Sequence, residues 1–249
     1  MPRLYELRDL IADPSSSDAY FQRDFDDRLQ NSDHVRQIYA RWESDLQGLD
    51  AAAWESLKNE VSPYLTRRQS GRGWEQMFNI LNQAHAYKYL KGLGCSNIHF
   101  IPRFTDRTPD LEAVLGSCSV LCEVKTINIS QDEVKARVKT RQTPTVRFTE
   151  TKLKDGFFGK LDFDIADAKS QLHAYDSSET AQCYIYLNFA FDDFFAEYKE
   201  QYFQQIDEHL SRNPISGVQL VFHNDETAFY RPLTMKNALV VNAGEGTSA

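Results

Sequence analysis

The stretch PDLEAVLGSCSVLCEVK, residues 109–125, decides the fold. Two runs of alternating apolar and polar residues lie on either side of Gly116-Ser117. A glycine at the first position of a two-residue loop favours a type II′ turn. The stretch therefore predicts a β-hairpin in which Leu115 pairs with Cys118.

This register gives the hairpin one charged face and one apolar face. Counting outward from the turn places Asp110 opposite Glu123, and Lys125 shares their face because it lies two residues further along the strand. Opposed like charges destabilise a sheet, whereas a bound cation turns their repulsion into attraction. Glu112 is the fourth residue of the charged face. The other face is expected to lie against the core, since its residues are Leu111, Ala113, Leu115, Cys118, Val120, Cys122 and Val124.

These residues resemble the PD-(D/E)xK nuclease superfamily, which has the restriction-endonuclease-like fold. Asp110 matches the Asp of the motif, and Glu123-Val124-Lys125 matches its (D/E)xK part. In this family an acidic residue often lies on the helix before the hairpin, where GWEQMFNILNQAHAYKYL offers Glu75. One branch also carries Gln, three residues, then Tyr on the helix after the hairpin, and Gln171 and Tyr175 in DIADAKSQLHAY fit that pattern.

The resemblance covers about residues 70–191 and implies an α/β fold. It implies an αβββαβ core in which helices flank a mixed central sheet, and the order of the predicted elements agrees with it. We expect residues 71–241 to form this nuclease-like domain. Residues 1–70 are expected to form a helical N-terminal extension, and residues 242–249 a flexible tail.

The chemistry that the resemblance implies is metal-assisted hydrolysis of a phosphodiester, with DNA rather than RNA as substrate and endonuclease rather than exonuclease action. Asp110 and Glu123, with the main-chain carbonyl of Val124, are expected to hold Mg²⁺ or Mn²⁺, because hard divalent cations prefer oxygen ligands. Such an ion polarises the phosphate and lowers the pKa of the attacking water. Lys125 is expected to orient that water and to neutralise developing charge.

The resemblance implies three further candidate site residues. Glu75 is expected to help hold the first ion or a second, although the helix dipole alone also favours a carboxylate in the first turn of a helix. Gln171 is expected to support the site or to contact the nucleic-acid backbone. Tyr175 has both a functional interpretation and a core interpretation, in which it faces the sheet.

A basic segment follows the hairpin. Residues 131–160 carry eight basic residues against four acidic ones, although the formal net charge of the chain is -8. One interpretation is a loop whose cations contact phosphates and supply affinity without reading sequence; the other is a solvated loop. The candidate nucleic-acid-binding residues are Lys135, Arg137, Lys139, Arg141, Arg147, Lys152 and Lys154.

The remaining composition excludes several protein classes. No run approaches the length of a membrane span, and the N-terminus lacks the apolar core of a signal peptide. The four cysteines show no CxxC spacing and are expected to be small buried hydrophobes in a reducing, cytoplasmic setting. The sequence has neither a Gly-rich phosphate loop of the Walker kind nor HExxH, so ATP binding and zincin chemistry are not indicated.

Local patterns predict several elements outside the hairpin. One long helix is expected over about residues 74–91, and another over about residues 162–175. In the N-terminal segment, Asp33 and Asp50 are candidate N-caps. The aromatic residues of that segment, Tyr39, Trp42 and Trp54, are expected to pack in the core rather than to stack on bases.

Two other functions remain open from the sequence. One is a nucleic-acid-binding or protein-interaction module that retains the nuclease fold without cleaving, although Asp110, Glu123 and Lys125 are all present. The other is a nuclease that acts only in a complex formed through the N-terminal helices. The expected partner is therefore DNA, with a homodimer or a larger complex as further possibilities, and no membrane.

Overall fold

The computed structural model describes residues 2–70, 72–102, 108–128, 135, 152–177, 180–189, 195–224 and 239–242. The helices are α1 (Arg3–Asp9), α2 (Phe25–Asn31), α3 (Asp33–Gln47), α4 (Ala51–Val61), α5 (Glu75–Leu81), α6 (Gln83–Gly92), α7 (Asp155–Tyr175) and α8 (Phe195–Arg212), with a 3₁₀ turn at Ser62–Tyr64. The strands are β1 (Ser96–Phe100), β2 (Leu111–Leu115), β3 (Cys118–Ile127), β4 (Gln182–Phe189), β5 (Gln219–Asn224) and β6 (Leu239–Asn242).

A mixed, open sheet with the strand order β1-β2-β3-β4-β5-β6 forms the centre of the fold, and helices flank it. The first three strands are antiparallel neighbours, β3, β4 and β5 are parallel, and β6 returns antiparallel. This confirms the predicted α/β class. Because α7 connects the parallel strands β3 and β4, it runs opposite to them, and its first residues lie toward the carboxyl end of β3.

The hairpin has the predicted register. Gly116 has a φ of 63°, as the first position of a type II′ turn requires. Leu115 pairs with Cys118, and the pairing continues to Leu111 and Cys122. The ladder ends at that pair, so the predicted pairing of Asp110 with Glu123 is not part of it, although the Asp110 side chain does reach β3 at Val124 N–H.

Both faces of the sheet are buried in apolar cores. One core joins helices α1–α6 to the sheet residues Leu111, Ala113, Val120, Cys122, Tyr184, Tyr186 and Val221. The other joins α7 and α8 to the sheet residues Leu121, Ile127, Ile185, Leu187, Phe189, Leu220 and Phe222. The predicted apolar face of the hairpin therefore lies against the first core, with one exception. Cys118 is exposed at the turn, so its prediction as a buried hydrophobe is wrong.

The N-terminal helices pack on the sheet through aromatic side chains. Trp42, Trp54 and Tyr39 are buried, which confirms that they are packing residues. The ring of Trp42 meets that of Phe78 on α5 edge to face at 5.0 Å. Such contacts add to the free energy of apolar burial. One continuous core thus extends from α1 to the sheet.

The capping residues are only partly as predicted. The carboxylate of Asp50 accepts the main-chain N–H of Ala53 at 2.8 Å and so caps α4, as expected. At α3 the cap is Ser32, whose hydroxyl accepts from Val35 N, and Asp33 is already the first helical residue. The prediction of Asp33 as a cap is therefore wrong by one position, because serine is an equally good cap.

The helix predicted over residues 74–91 is divided at Asn82 into α5 and α6. The Asn82 side chain is buried and donates to Thr126 Oγ1 on β3 at 3.1 Å. The main chain tightens at the same point, where His85 N donates to Asn82 O at 3.1 Å. Asparagine competes with helical hydrogen bonding, and here its tertiary bond accompanies the break.

The helix predicted from residue 162 begins earlier, at Asp155, and forms the 21-residue α7. It buries Leu161, Ile165, Ala168 and Leu172 at helical spacing against the second core. Among the described residues, no helix has the length and apolar character needed to cross a bilayer.

We expect Asp50→Ala to lower the free energy of unfolding by about 1 kcal/mol, because Ala53 N–H and the Tyr87 hydroxyl, at 3.1 Å, both lose an acceptor. The bond from Ala53 is the largest cause that lowers the pKa of Asp50. Because the pKa of Asp50 is lower in the folded protein, its carboxylate stabilises the fold at any pH above the pKa of the unfolded chain, about 3.9. This stabilisation is lost as the pH falls through the pKa of the folded state. Urea unfolding at pH 7 and pH 3 measures this.

The matched control is Asp33→Ala, in the first turn of α3, where the Ser32 cap remains. Its effect should be smaller than that of Asp50→Ala at pH 7. Equal losses in the two variants, or a loss for Asp50→Ala that does not shrink at pH 3, would contradict the capping role.

Candidate active site

Two helices, α6 and α7, contact the predicted charged residues of the hairpin. Glu123 and Lys125 alternate on β3 on the face that carries α7, and Asp110 immediately precedes β2. The carboxylate of Asp110 accepts the main-chain N–H of Val124, the residue between Glu123 and Lys125. Burial, and then the charges of Asp110 and Glu123, raise the pKa of the Cys122 thiol in the first core. The structure thus brings Asp110, Glu123 and Lys125 to one place.

The carboxylate of Asp110 is held on both of its oxygens. Oδ2 accepts the main-chain N–H of Val124 at 2.8 Å, and Oδ1 accepts from Gln83 Nε2 on α6 at 3.3 Å. Only 7% of Asp110 is exposed. Hydrogen bonds to an ionised acceptor are about twice as strong as neutral ones. The position of the carboxylate is therefore fixed relative to both β3 and α6.

The ammonium group of Lys125 makes three contacts with protein oxygens. Nζ lies 3.0 Å from Glu123 Oε1, 2.7 Å from Asp167 Oδ2 and 2.7 Å from Gln171 Oε1. A lysine has three N–H donors, so these contacts use all of them. Glu123 is only 4% exposed, and the ammonium therefore supplies positive charge to a buried carboxylate.

The protonation state of Lys125 follows from these contacts. Burial lowers its pKa, but the charge of Glu123 and the hydrogen bond to Asp167 outweigh burial, and the net result is a pKa above the ordinary lysine value. The group is consequently charged at neutral pH. It is a cation beside the two carboxylates and not a neutral base.

Gln171, predicted to support the site, does contact Lys125, and the structure adds Asp167 one helical turn earlier on α7. The two residues are four apart, so they lie on the same side of the helix. That spacing was the only sequence signal for Asp167. Without knowledge of which side of α7 meets β3, the spacing could not assign it.

Gln83 is the second site residue that sequence analysis missed. It is buried at the start of α6, where its side chain reaches Asp110. A glutamine inside an otherwise apolar helix face is a weak signal, because it carries no charge and has no fixed partner type. Only the packing of α6 against the hairpin identifies its role.

The structure gives Glu75 a different partner from the one expected. Arg72 Nη1 lies 3.0 Å and 2.7 Å from the two oxygens of Glu75. Among the described residues, no three His, Cys, Asp or Glu side chains are grouped closely enough to hold a metal ion, so Glu75 does not complete a cluster with Asp110 and Glu123. Arg72, which is not part of the motif, pairs with Glu75 instead.

The chemistry of the donors fits a hard divalent cation. Asp110 and Glu123 offer carboxylate oxygens, and the main chain of Val124 lies between them and Lys125. Mg²⁺ and Mn²⁺ accept two carboxylates and complete their coordination with water. The donor types of Asp110 and Glu123 are therefore those that such an ion accepts.

The candidate nucleic-acid-binding residues are only partly within the described part of the chain. Lys135, Lys152 and Lys154 are exposed, and Lys154 immediately precedes α7. The other four, Arg137, Lys139, Arg141 and Arg147, lie outside the described residues.

The core interpretation of Tyr175 is wrong. Its side chain is 45% exposed at the end of α7. Burial, and then the charge of Glu112 and a hydrogen bond to it, raise the pKa of Tyr175. The phenol therefore contacts the charged face of the hairpin rather than the second core.

No family model, curated protein or solved structure matches this chain.

We expect Lys125→Met to lower the free energy of unfolding by about 3–5 kcal/mol, because Glu123 would remain buried without its cation. The double variant Lys125→Met/Glu123→Gln should regain part of that loss, since residue 123 is then no longer a buried charge without its cation. Urea unfolding at pH 7 of both variants measures the coupling.

Lys169→Met is the matched control on α7, because its ammonium bonds the main-chain carbonyl of Ser216 at the surface. Its effect should stay below about 1 kcal/mol. If Lys125→Met had the same free energy of unfolding as this control, the ion pair with Glu123 would not stabilise the fold.

Proposed function

We propose that this protein is a metal-dependent phosphodiesterase that cleaves DNA, acting as an endonuclease. The observation that carries the proposal is the juxtaposition of two buried carboxylates, Asp110 and Glu123, with the protonated Lys125 on one hairpin. Buried charge is costly, and a buried ion pair rarely stabilises more than apolar residues of the same size. A concentration of buried charge on one hairpin is therefore typical of a functional site.

In this proposal Asp110 and Glu123 hold Mg²⁺ or Mn²⁺. The ion, when bound, supplies a Lewis acid for the phosphate and a water of lowered pKa. Asp110 is ready for this role because Val124 N–H and Gln83 fix its carboxylate. If Glu123 held the ion through Oε1, the oxygen that contacts Lys125, it would exchange that contact for the cation.

That exchange provides a role for Lys125. When Glu123 turns to a cation, one N–H of Lys125 is released, while Asp167 and Gln171 keep the ammonium in place. The released donor is then available to the attacking water or to a phosphate oxygen. A positioned cation at developing negative charge is among the larger contributions to catalysis.

The order of elements supports the proposal. Helices α5 and α6, the three strands β1–β3, α7 and β4 follow one another in the order of an αβββαβ core. Glu123 and Lys125 lie on β3, at the junction between the antiparallel and the parallel part of the sheet, and Asp110 immediately precedes β2. The restriction-endonuclease-like fold is thus the specific architecture that we propose.

A non-cleaving nucleic-acid-binding or protein-interaction module is the second candidate. Two observations favour it: every N–H of Lys125 is engaged by the protein, and the described residues group no three metal-ligating side chains. In such a module the charged cluster would stabilise the junction of β3 and α7 and would bind no cation.

We expect the wild type to cut supercoiled, linear or single-stranded DNA with Mg²⁺ or Mn²⁺ and to lose this activity in EDTA. Asp110→Asn and Lys125→Met should each lower the rate by about 100-fold or more, because each removes charge from the reacting centre. The asparagine keeps an oxygen that can accept from Val124 N–H. Conversion of supercoiled DNA to nicked and linear forms identifies endonuclease action.

Lys88→Met is the control, because this exposed lysine pairs with Asp45 rather than with the site. Its rate should equal that of the wild type. Circular dichroism at the assay temperature has to show that each variant is folded, given the expected instability of Lys125→Met. A wild type that cuts none of the three DNAs and shows no heat of Mn²⁺ binding would contradict the enzyme and favour the module.

A further inference from the structure

An exposed aromatic side chain on α7 has no role in the core. Phe163 is 65% exposed, more than any other large apolar side chain among the described residues. A single exposed apolar residue is ordinary on a protein surface. The exposure of Phe163 is of interest because the residue lies close to the candidate site along α7.

Phe163 continues the row of side chains that holds Lys125. It precedes Asp167 by four residues and Gln171 by eight, so the three lie along one side of α7. Asp167 and Gln171 both contact the Lys125 ammonium. The helical rise separates Phe163 from Asp167 by about 6 Å along the axis. The aromatic ring therefore lies within one turn of the site.

The direction of α7 places Phe163 toward the carboxyl end of β3. The helix runs opposite to β3, so a residue that precedes Asp167 lies toward the carboxyl end of that strand. In sheets with parallel strands, ligands bind beyond the carboxyl ends. A substrate that reaches Lys125 from this edge would pass Phe163.

Lysines accompany the ring. Lys160 Nζ lies 5.7 Å from its centroid, and Lys152 and Lys154 are exposed in the segment that leads into α7. Asp164 pairs with Lys160, and Asp155 lies in the first turn, so the segment is of mixed charge rather than uniformly basic. Asp162 also directly precedes Phe163. An exposed aromatic ring beside a lysine is nevertheless an element of the surfaces with which proteins bind single-stranded nucleic acid.

We propose that Phe163 stacks on an unpaired base of the strand whose phosphate lies at Lys125, so that single-stranded or frayed DNA is the substrate class of this site. The inference rests on the proposed function. A base within a duplex has both faces covered by its neighbours, whereas an unpaired base offers a face to a ring on a helix surface. The phosphates of the same strand then lie beside Lys154 and Lys160.

The first test compares substrates. Phe163→Ala should raise the KM for a single-stranded oligonucleotide by about 5- to 150-fold, the range typical of one stacked base. The KM for a blunt duplex should change less than twofold, and Phe163→Tyr should behave as the wild type. Leu10→Ala is the control, because Leu10 is 47% exposed at the end of α1 and its loss should change neither KM.

The second test measures stacking without cleavage. In EDTA, oligothymidine should quench the fluorescence of Phe163→Trp beyond any change in the wild type, whose Trp42, Trp54 and Trp74 are buried. The added indole is expected to stack as the phenyl ring does. This readout remains valid if the chain binds DNA without cutting it.

The outcomes separate this inference from the proposed function. A wild type that cuts or binds single strands, with Phe163→Ala unchanged, overturns the stacking role alone. A wild type that neither binds nor cuts any DNA overturns the proposed function as well. If Phe163→Ala instead changes the oligomeric state in sedimentation and leaves DNA binding unaltered, the ring is a protein contact and the inference is wrong.

Discussion

The buried ion pair between Glu123 and Lys125 constrains the rest of the structure. Glu123 lies in the layer between β3 and α7, where an unpaired carboxylate would destabilise the fold by several kcal/mol. Lys125 compensates it at 3.0 Å and in turn requires further acceptors. Asp167 and Gln171 supply them from α7. The rotation of α7 about its axis is thereby set by polar contacts as well as by its apolar stripe.

Asp110 connects the same site to the opposite side of the sheet. Its carboxylate bonds to Val124 on β3 and to Gln83 on α6, a helix of the first core. The charged residues are therefore anchored to both helical layers: Glu123 and Lys125 lie on β3, and Asp110 lies immediately before β2. Such anchoring keeps catalytic groups in position. The N-terminal helices contribute indirectly, because they complete the core against which α5 and α6 pack.

The same contacts define the chemistry that the site can perform. Without a cation, Lys125 compensates the charge of Glu123 and also contacts the carboxylate of Asp167. With a divalent cation on Asp110 and Glu123, the ammonium would be released toward a substrate while Asp167 and Gln171 still hold it. Phe163, one turn further along α7, would meet a strand that approaches from the carboxyl end of β3. A single helix thus contacts the lysine and carries the exposed ring that we propose as a substrate contact.

The sequence by itself determined the hairpin, because Gly116 and the period-two alternation specify register through short-range geometry. That register predicted Asp110 beside the charged residues of β3 and, except for Cys118, correctly assigned the apolar face to the core. Only the tertiary structure decided the partners of these charges. Gln83 and Asp167 reach the site because α6 and α7 pack on the sheet in a particular rotation, and Glu75 turns to a neighbouring arginine instead. Local pattern reports which face a residue occupies, whereas contacts between side chains far apart in the chain depend on how whole elements pack together.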